Sequence, residues 1–217
     1  MKNRRIPILA VLLFCLIVVF ISGCGASGKA AGVTTFELHE DGTITHTIIE
    51  DYTDSFSEEE LTAYITEQVN SYVKNKEEPE ISLNSCSIDT GSGKITVEMS
   101  YASVSDYSAF NNVRAFSGWL QDAYKNGCDF SNGFVTNTGT FLPGYILPVE
   151  YPDLSVLVVQ EPMNIVMPQS AILYSDNITA NSDGTYTVLK DQNDAVPEVF
   201  QTVNNNAAYL IYSPKSK

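Results

Sequence analysis

Apolar and polar residues alternate on both sides of a short turn near residue 41. Phe36 and Leu38 precede the turn, and Ile44, His46 and Ile48 follow it. The loop between them is Glu40-Asp41-Gly42. A three-residue loop pairs Leu38 with Ile44 and Phe36 with His46, which places all of them on one face. Gly42 suits the left-handed position that such a loop requires. The pattern therefore predicts a β-hairpin with His46 turned towards the core.

A helical repeat follows the hairpin. Ser57 and Glu60 have the spacing of a capping box, in which each side chain bonds the backbone N–H of the other residue. Apolar residues then recur at intervals of three or four: Leu61, Tyr64, Ile65, Val69, Tyr72 and Val73. We predict an amphipathic helix at residues 58–75 that lays this stripe on a sheet, with Pro79 after its end.

Two more strands are predicted at residues 81–88 and 95–101, with a turn at residues 89–93 between them. The second of these strands has one apolar face, formed by Ile95, Val97, Met99 and Tyr101. Such strict alternation is typical of a strand that is buried on one side only.

Short helical segments are predicted next. One begins at Ser105-Asp106 and carries Tyr107 and Phe110. The other ends at Gly127, a residue that suits a helix C-terminus, and is indicated by Trp119, Leu120 and Tyr124.

The chain becomes richer in strands from about residue 131. Prolines separate its apolar runs at Pro143, Pro148, Pro152, Pro162 and Pro168. Strands are predicted at residues 154–159, 165–167, 172–174, 185–189 and 208–212, with a turn at residues 181–184. The whole order predicts an α+β fold: an antiparallel or mixed sheet with strand-strand-helix units, followed by a β-rich C-terminal part. The two units share no residue pattern, so no internal repeat is predicted.

The N-terminus has the three parts of an export signal. Lys2, Arg4 and Arg5 precede an apolar run at residues 6–21, and small residues follow it. The run is shorter than the roughly 20 residues that span a bilayer comfortably. Ile21-Ser22-Gly23-Cys24 resembles the lipobox of bacterial lipoproteins, which implies cleavage before Cys24 and a diacylglycerol on its thiol.

These features divide the chain into three parts. We predict a lipoprotein signal peptide at residues 1–23, a lipidated Cys24 with a flexible tether at residues 24–32, and a single α+β domain at residues 33–217. The domain is then held on the extracytoplasmic face of the cell membrane. Two alternatives stay open: an ordinary signal peptide in which Cys24 is accidental, and an uncleaved anchor.

Net charge limits the partners of the exported part. Three of the 12 basic residues and none of the 26 acidic ones precede Cys24, so residues 24–217 carry a formal charge of −17. This charge excludes nucleic acid as a partner and opposes adhesion to anionic lipid. Cations and basic proteins are the partners that it favours, although high charge also serves solubility alone.

Six stretches of this chain carry a resemblance: Asp41-Gly42-Thr43-Ile44-Thr45, Ile49-Glu50-Asp51-Tyr52, Ser57-Glu58-Glu59-Glu60-Leu61, Val97-Glu98-Met99-Ser100-Tyr101, Asp106-Tyr107-Ser108-Ala109-Phe110-Asn111 and Ala208-Tyr209-Leu210-Ile211-Tyr212. They are similar to stretches of uncharacterised membrane-anchored lipoproteins of clostridia, which are Gram-positive. The resemblance implies the anchor and a cell-surface location. It implies no activity.

The sequence offers little for catalysis or metal binding. Its two histidines, His39 and His46, fall on opposite faces of the predicted hairpin, so we expect a solvated His39 and a structural His46. Neither His-x-x-x-His nor Cys-x-x-Cys accompanies them. No catalytic residue, metal ligand or cofactor is therefore assigned.

Three short motifs resemble catalytic ones. Gly91-Ser92-Gly93-Lys94 lacks the first glycine of a phosphate-binding loop and joins two strands. Ser71-Tyr72-Val73-Lys74 and Ser175-Asp176-Asn177 match two motifs of penicillin-binding enzymes, but the third, Lys-Thr-Gly, is missing. Ser71 also falls on the polar face of the predicted helix. We interpret all three as chance matches.

Six carboxylates are concentrated at residues 50–60: Glu50, Asp51, Asp54, Glu58, Glu59 and Glu60. A divalent cation could bind there, but acids at a helix start are also favoured by the helix dipole. The latter interpretation, a solvated charged face, is favoured.

Cys86 and Cys128 are the cysteines left after Cys15 and Cys24. An exported pair can form a disulfide. The alternating strand around Cys86 equally suits a small buried thiol. Both alternatives stay open.

Three functions are compatible with these features. The first is a non-catalytic cell-surface domain that binds or scaffolds an envelope protein or cell-wall component. The second is a small-ligand-binding lipoprotein, and the third is an envelope hydrolase of unrecognised type. A cleft with convergent acids or hydroxyls would favour the second or third, and a flat apolar patch the first.

Replacing Cys24 tests the predicted anchor. We expect Cys24→Ala to accumulate as unprocessed precursor, because the acyl acceptor is lost and two acyl chains are what make anchoring stable. Immunoblotting of fractionated cells and metabolic labelling with a fatty acid measure this. Normal maturation and lipid labelling of the Cys24→Ala protein would contradict the prediction.

Overall fold

Two β-sheets and several short helices make up the described part of the chain, which is mixed α+β and rich in strands, as predicted. The structure is a computed structural model. It describes residues 32–53, 55–74, 80–131, 133–189 and 207–214. The predicted signal peptide and Cys24 lie outside the described residues, as do Asp54 and Pro79. Within the described ranges, no helix is long and apolar enough to cross a membrane.

Residues 31–217 form one compact unit. Its described strands are β1 (Thr35–Leu38), β2 (Ile44–Asp51), β3 (Ile81–Asp89), β4 (Lys94–Tyr101), β5 (Ala115–Trp119), β6 (Gly133–Thr136), β7 (Phe141–Pro143), β8 (Ser155–Val159), β9 (Asn164–Val166), β10 (Leu173–Ser175), β11 (Ile178–Ala180), β12 (Tyr186–Val188) and β13 (Ala208–Tyr212). Its described helices are α1 (Glu58–Val73), α2 (Val104–Asn111), α3 (Leu120–Lys125) and α4 (Leu147–Glu150), the last preceded by a 3₁₀ turn at Gly144–Ile146.

The first sheet is mixed and has the strand order β11-β12-β9-β1-β2-β4-β3. Its parallel pair is β1 with β9, and its other pairs are antiparallel. The second sheet is antiparallel throughout, with the order β5-β8-β13-β10-β6-β7. Strands from both ends of the chain therefore share the first sheet, which ties the predicted β-rich C-terminal part to the N-terminal hairpin.

The β1–β2 hairpin has the predicted register. Phe36 lies opposite His46 and Leu38 lies opposite Ile44. All four side chains are buried, as the three-residue loop requires. Gly42 adopts a φ of +88°, the left-handed conformation for which glycine is suited.

The β11–β12 turn repeats the chemistry of the first hairpin. In both turns an Asp side chain, Asp41 or Asp183, accepts hydrogen bonds from the backbone N–H and hydroxyl of the Thr two residues later. These bonds hold the pKa of each Asp below its usual range. The side chain that opens each turn bonds a second Thr six residues on, His39 to Thr45 and Asn181 to Thr187. The likeness is one of turn chemistry and is carried by four identities, Asp41/Asp183, Gly42/Gly184, Thr43/Thr185 and Thr45/Thr187.

Helices α1 and α2 join the inner face of the first sheet in one core. Ser57 and Glu60 form the predicted capping box, with Ser57 N–H donating to Glu60 Oε2 at 2.9 Å. Ile65 and Val69 of α1 are buried in this core, and the rest of the predicted stripe packs at its edge. The helix is described to Val73, with Lys74 as its C-cap, so residue 75 lies outside the described residues. Helix α2 begins at Val104, one residue earlier than predicted, because the Ser103 hydroxyl caps it.

Strands β8 and β13 are buried on both faces. Leu157 and Leu210 lie opposite each other and belong to the first core. Val158 and Tyr209, the next pair, point into a second core on the other side of the sheet. Helices α3 and α4 cover this second core, since Leu120 and Leu147 are fully buried within it.

Four strands were not predicted: β5, β6, β7 and β11. Trp119 was predicted to be helical, but it ends β5 and serves as the N-cap of α3. Trp119 belongs to β5 because it still pairs with Ser155, the first residue of the antiparallel strand β8, and the ladder ends at this pair. Gly127 closes α3 as predicted, with a φ of +77°.

The capping box gives a test of how α1 is stabilised. We expect Ser57→Ala to lower the free energy of unfolding by about 1 kcal/mol, because the Glu60 N–H loses its acceptor. Chemical denaturation followed by circular dichroism measures the change. The matched control is Ser71→Ala on the exposed face of the same helix, which we expect to cause no loss of stability. Equal destabilisation by both substitutions would contradict the assigned role of the cap.

Candidate functional site

Tyr107 of α2 is the centre of a buried aromatic cluster. Its ring packs edge-on against Phe36, His46 and Tyr101, with ring centroids 4.9, 5.2 and 5.3 Å away. Its hydroxyl donates a hydrogen bond to Glu161, in the loop after β8. Burial raises the pKa of the Glu161 carboxyl and, with the nearby Glu161 charge, the pKa of Tyr107. Because the four ring side chains are at most 6% exposed, no substrate can reach them without local unfolding.

His46 is enclosed in this cluster, as predicted. Its side chain is 6% exposed, and Nδ1 has no hydrogen-bond partner among the described residues. Burial lowers its pKa from 6.5 to about 4, so the imidazole is neutral at physiological pH. His39 lies on the opposite face, with Nε2 2.9 Å from Thr45 Oγ1 and Nδ1 3.9 Å from Glu37. The two histidines are not brought together.

In the described structure, the two segments that match motifs of penicillin-binding enzymes do not come together in one site. Ser71 and Lys74 lie on the exposed face of α1, beside an open depression of about 470 Å³ whose described lining residues all come from that helix. Ser175, Asp176 and Asn177 are buried in the β10–β11 turn. There the Ser175 hydroxyl donates to Asn177 Oδ1 at 2.6 Å and accepts from the Tyr209 N–H at 2.9 Å. This second motif therefore has a structural role.

Residues 91–93 lie in the turn between β3 and β4, and Lys94 is the first residue of β4. Asp89 accepts hydrogen bonds from the N–H groups of Gly91 and Ser92 and from the Ser92 hydroxyl. These N–H groups point at a carboxylate of the chain itself, which leaves them unsuited to a phosphate.

Three of the five described carboxylates of the 50–60 segment make contacts within the chain. Glu60 caps α1, and Glu58 accepts a hydrogen bond from the Ile88 N–H at 2.9 Å. Asp51 pairs with Lys94 at 2.6 Å. Among the described residues, no group of three or more His, Cys, Asp or Glu side chains is placed to hold a metal ion.

Cys86 and Cys128 are both free thiols, so the disulfide alternative was wrong. Cys86 packs at the edge of the first core, whereas Cys128 is buried in the second. Burial raises the pKa of both thiols, which makes them poor nucleophiles.

Five of the seven exposed large apolar side chains of the described residues lie on or beside the elements that cover the second core. They belong to α3, the 3₁₀ turn, α4 and their flanking residues, and we call them the aromatic patch: Trp119 (49% exposed), Tyr124 (62%), Tyr145 (74%), Val149 (76%) and Tyr151 (38%). Most large apolar side chains of the described domain are buried. A concentration of exposed ones marks a binding surface more often than scattered apolar residues do.

Local structure explains why these side chains point outwards. In α3, Leu120 and Ala123 are buried in the second core, whereas Tyr124 near the end of the helix is 62% exposed. In the 3₁₀ turn and α4, Leu147 is the buried residue, and Tyr145 and Val149 project away from it. The two segments adjoin each other, since α3 packs against α4 and the Leu120 N–H bonds the Leu154 carbonyl at 2.9 Å.

Polar residues beside the patch include both signs of charge. Asp122, Glu150 and Asp153 lie on the same short elements as the aromatic residues. Lys125 donates to Gln121 and Asp122 at 3.3 and 3.4 Å. The Arg114 guanidinium donates to the Gly127 carbonyl at the end of α3.

Sequence patterns missed the patch. In the sequence, Trp119 and Tyr124 indicate only a helix, and the pattern assigns no role to Tyr145, Val149 and Tyr151. One available signal is the spacing of Pro143, Pro148 and Pro152, because segments this short between prolines have few positions with which to bury an aromatic side chain.

No protein-family model matches this chain, and no curated protein or solved structure matches it either. The clostridial lipoprotein resemblance therefore stays a prediction.

Burial of His46 predicts acid sensitivity. The unfolded chain binds a proton with the ordinary pKa of 6.5, whereas the folded chain binds it only near pH 4. The contribution of His46 to the free energy of unfolding is therefore fully present above pH 6.5. It is lost as the pH falls towards 4, at up to about 1.4 kcal/mol per pH unit. The pKa of Glu161 is raised, so its contribution to the free energy of unfolding changes with pH in the opposite direction to that of His46. Each variant must therefore be compared with the wild type at the same pH.

We expect His46→Leu to lose less stability than the wild type between pH 7 and pH 5. Denaturant unfolding at both pH values measures this difference. His39→Asn is the matched control, because it removes the other histidine and Asn occupies the equivalent position 181 of the β11–β12 turn. An unchanged slope in His46→Leu would show that the imidazole titrates normally in the folded state.

Proposed function

We propose that this chain is a non-catalytic binding domain of the cell envelope, held at the extracytoplasmic face of the membrane by lipid on Cys24. The aromatic patch is the surface that engages another envelope component. The observation that carries this proposal is the exposure of Trp119, Tyr124 and Tyr145 on adjoining short elements. Tryptophan and tyrosine are enriched among residues that dominate binding energy at protein interfaces.

The shape of the patch favours a binding role over a small-molecule site. Helices α3 and α4 are short and lie on a fully packed core, so their outer side chains form a surface rather than a cleft. Large partners bind such surfaces by covering exposed aromatic residues, whereas small ligands are usually enclosed in concave pockets.

The internal use of reactive groups supports a non-catalytic role. The buried Tyr107 donates to Glu161, which is half-buried, and Ser175 and Asn177 hold the β10–β11 turn. His46 is buried against the Tyr107 ring. General acid–base catalysis needs such groups within hydrogen-bond reach of a substrate, whereas the Tyr107, His46 and Ser175 side chains are buried and the Glu161 carboxyl accepts a bond from Tyr107.

The predicted tether fits a role near the membrane. A flexible tether of eight residues, as the sequence predicts at residues 25–32, would have a root-mean-square length of roughly 15 Å. The folded part would therefore work close to the bilayer surface, within reach of other membrane-anchored envelope components.

Site-specific photo-crosslinking in intact cells tests this proposal. We expect a benzophenone amino acid at Tyr145 to form a discrete crosslinked product, because the side chain is exposed and the partner would cover it. The same amino acid at Thr66, exposed on α1, should not form this product. The Trp119→Ala/Tyr124→Ser variant should abolish the product while the protein stays membrane-bound. Identical products from both positions, or none from Tyr145, would contradict the proposal.

A further inference from the structure

We infer that the aromatic patch binds a lysine- or arginine-rich face of a protein partner. The inference rests on the proposed binding function and adds the chemistry of the partner. It follows from the charges that surround the five patch residues and from the way in which nearby cations are already engaged.

Acidic side chains lie among the patch residues in the chain. Glu150 separates Val149 from Tyr151, and Asp153 follows two residues later. Both acids are exposed. A partner that covers the patch must therefore approach these carboxylates, and it gains from cations placed opposite them.

The basic residues of this region already make contacts within the chain. Lys125 donates to Gln121 and Asp122, and Arg114 donates to the carbonyl of Gly127. These contacts draw the two positive charges towards acceptors of the domain itself. Glu150 and Asp153 are exposed and make no ion pair with a described residue, and residues 24–217 carry a formal charge of −17.

Aromatic rings and carboxylates together suit lysine and arginine side chains. The face of a tryptophan or tyrosine ring attracts a cation through its quadrupole. The aliphatic stems of lysine and arginine also pack on apolar surface such as Val149. A neutral partner would use the rings but leave the acids without a counterpart.

Other occupants fit the charges less well. A second copy of this chain would bring an identical acidic rim and a further charge of −17 to the interface. Anionic lipid would likewise be repelled. Neutral polysaccharide and phosphatidylcholine are compatible with the rings alone, so both are included in the test.

Trp119 is the single tryptophan of the chain and reports binding directly. The lipidated protein in phosphatidylcholine nanodiscs is titrated with the peptide (Arg-Gly-Leu)4 while tryptophan emission is recorded. Parallel titrations use (Glu-Gly-Leu)4, (Ser-Gly-Leu)4, chitohexaose and phosphatidylcholine vesicles. We expect a saturable change in emission with the arginine peptide and none with the other four probes.

Two variants separate local from net charge. We expect Glu150→Gln/Asp153→Asn to raise the Kd for the arginine peptide about ten-fold, because two facing charges are lost. Glu59→Gln/Glu67→Gln changes net charge equally on exposed positions of α1 and should change the Kd less than about two-fold. Tyr145→Ser/Val149→Ser keeps the reporter and every acid, and it should also raise the Kd about ten-fold. Circular dichroism melting verifies that each variant is folded.

Equal effects of the two charge-matched variants would overturn the inference, because binding would then follow net charge alone. Saturable binding of the serine peptide, the glutamate peptide, chitohexaose or vesicles would also overturn it. Persistence of the Tyr145 crosslink in cells without binding of the arginine peptide would reject this inference and leave the proposed function standing. Loss of both results would reject the proposed function itself.

Discussion

The constraint on which the rest of the structure depends is the burial of β8 and β13 on both faces. Successive pairs of this ladder alternate between two cores: Leu157 with Leu210 in the first, and Val158 with Tyr209 in the second. Side chains of a strand alternate with a period of two, so a slip of one residue would exchange the two cores. Neither sheet can then be repacked alone, because both rest on the same ten residues of backbone.

The second core explains why the aromatic patch exists. A strand pair that is apolar on both faces needs a cover on each, and α1, α2 and the first sheet cover only one. The short helices α3 and α4 cover the other, with Leu120 and Leu147 as their fully buried residues. Helices of this length can bury one narrow stripe only, so their remaining side chains are exposed whatever their polarity. That aromatic residues occupy these positions is not required by packing, and it is the reason to assign them a binding role.

The parts of the fold that local pattern specifies were predicted, and the parts that distant pairing specifies were not. The β1–β2 register follows from a three-residue loop and a one-sided apolar pattern, and α1 follows from its capping box and stripe. Strand β5 is defined by its pairing with β8, which lies far away in the sequence. It also contains Gly118, where the Phe116 ring covers the backbone so closely that an added Cβ would lie 3.0 Å from it. The patch was missed for a related reason, since the exposure of Tyr124 depends on which side of α3 faces the second core.

The net charge of the chain limits which surfaces can contact the aromatic patch. Five exposed apolar side chains favour self-association, yet the formal charge of −17 on residues 24–217 opposes contact between two copies. The same charge opposes adhesion to anionic lipid. Under the proposed function, the exposed rings would stay accessible until a partner offers them apolar contact and offers Glu150 and Asp153 positive charge. High negative charge alone indicates only solubility, but beside exposed rings it would also limit which surfaces can bind them.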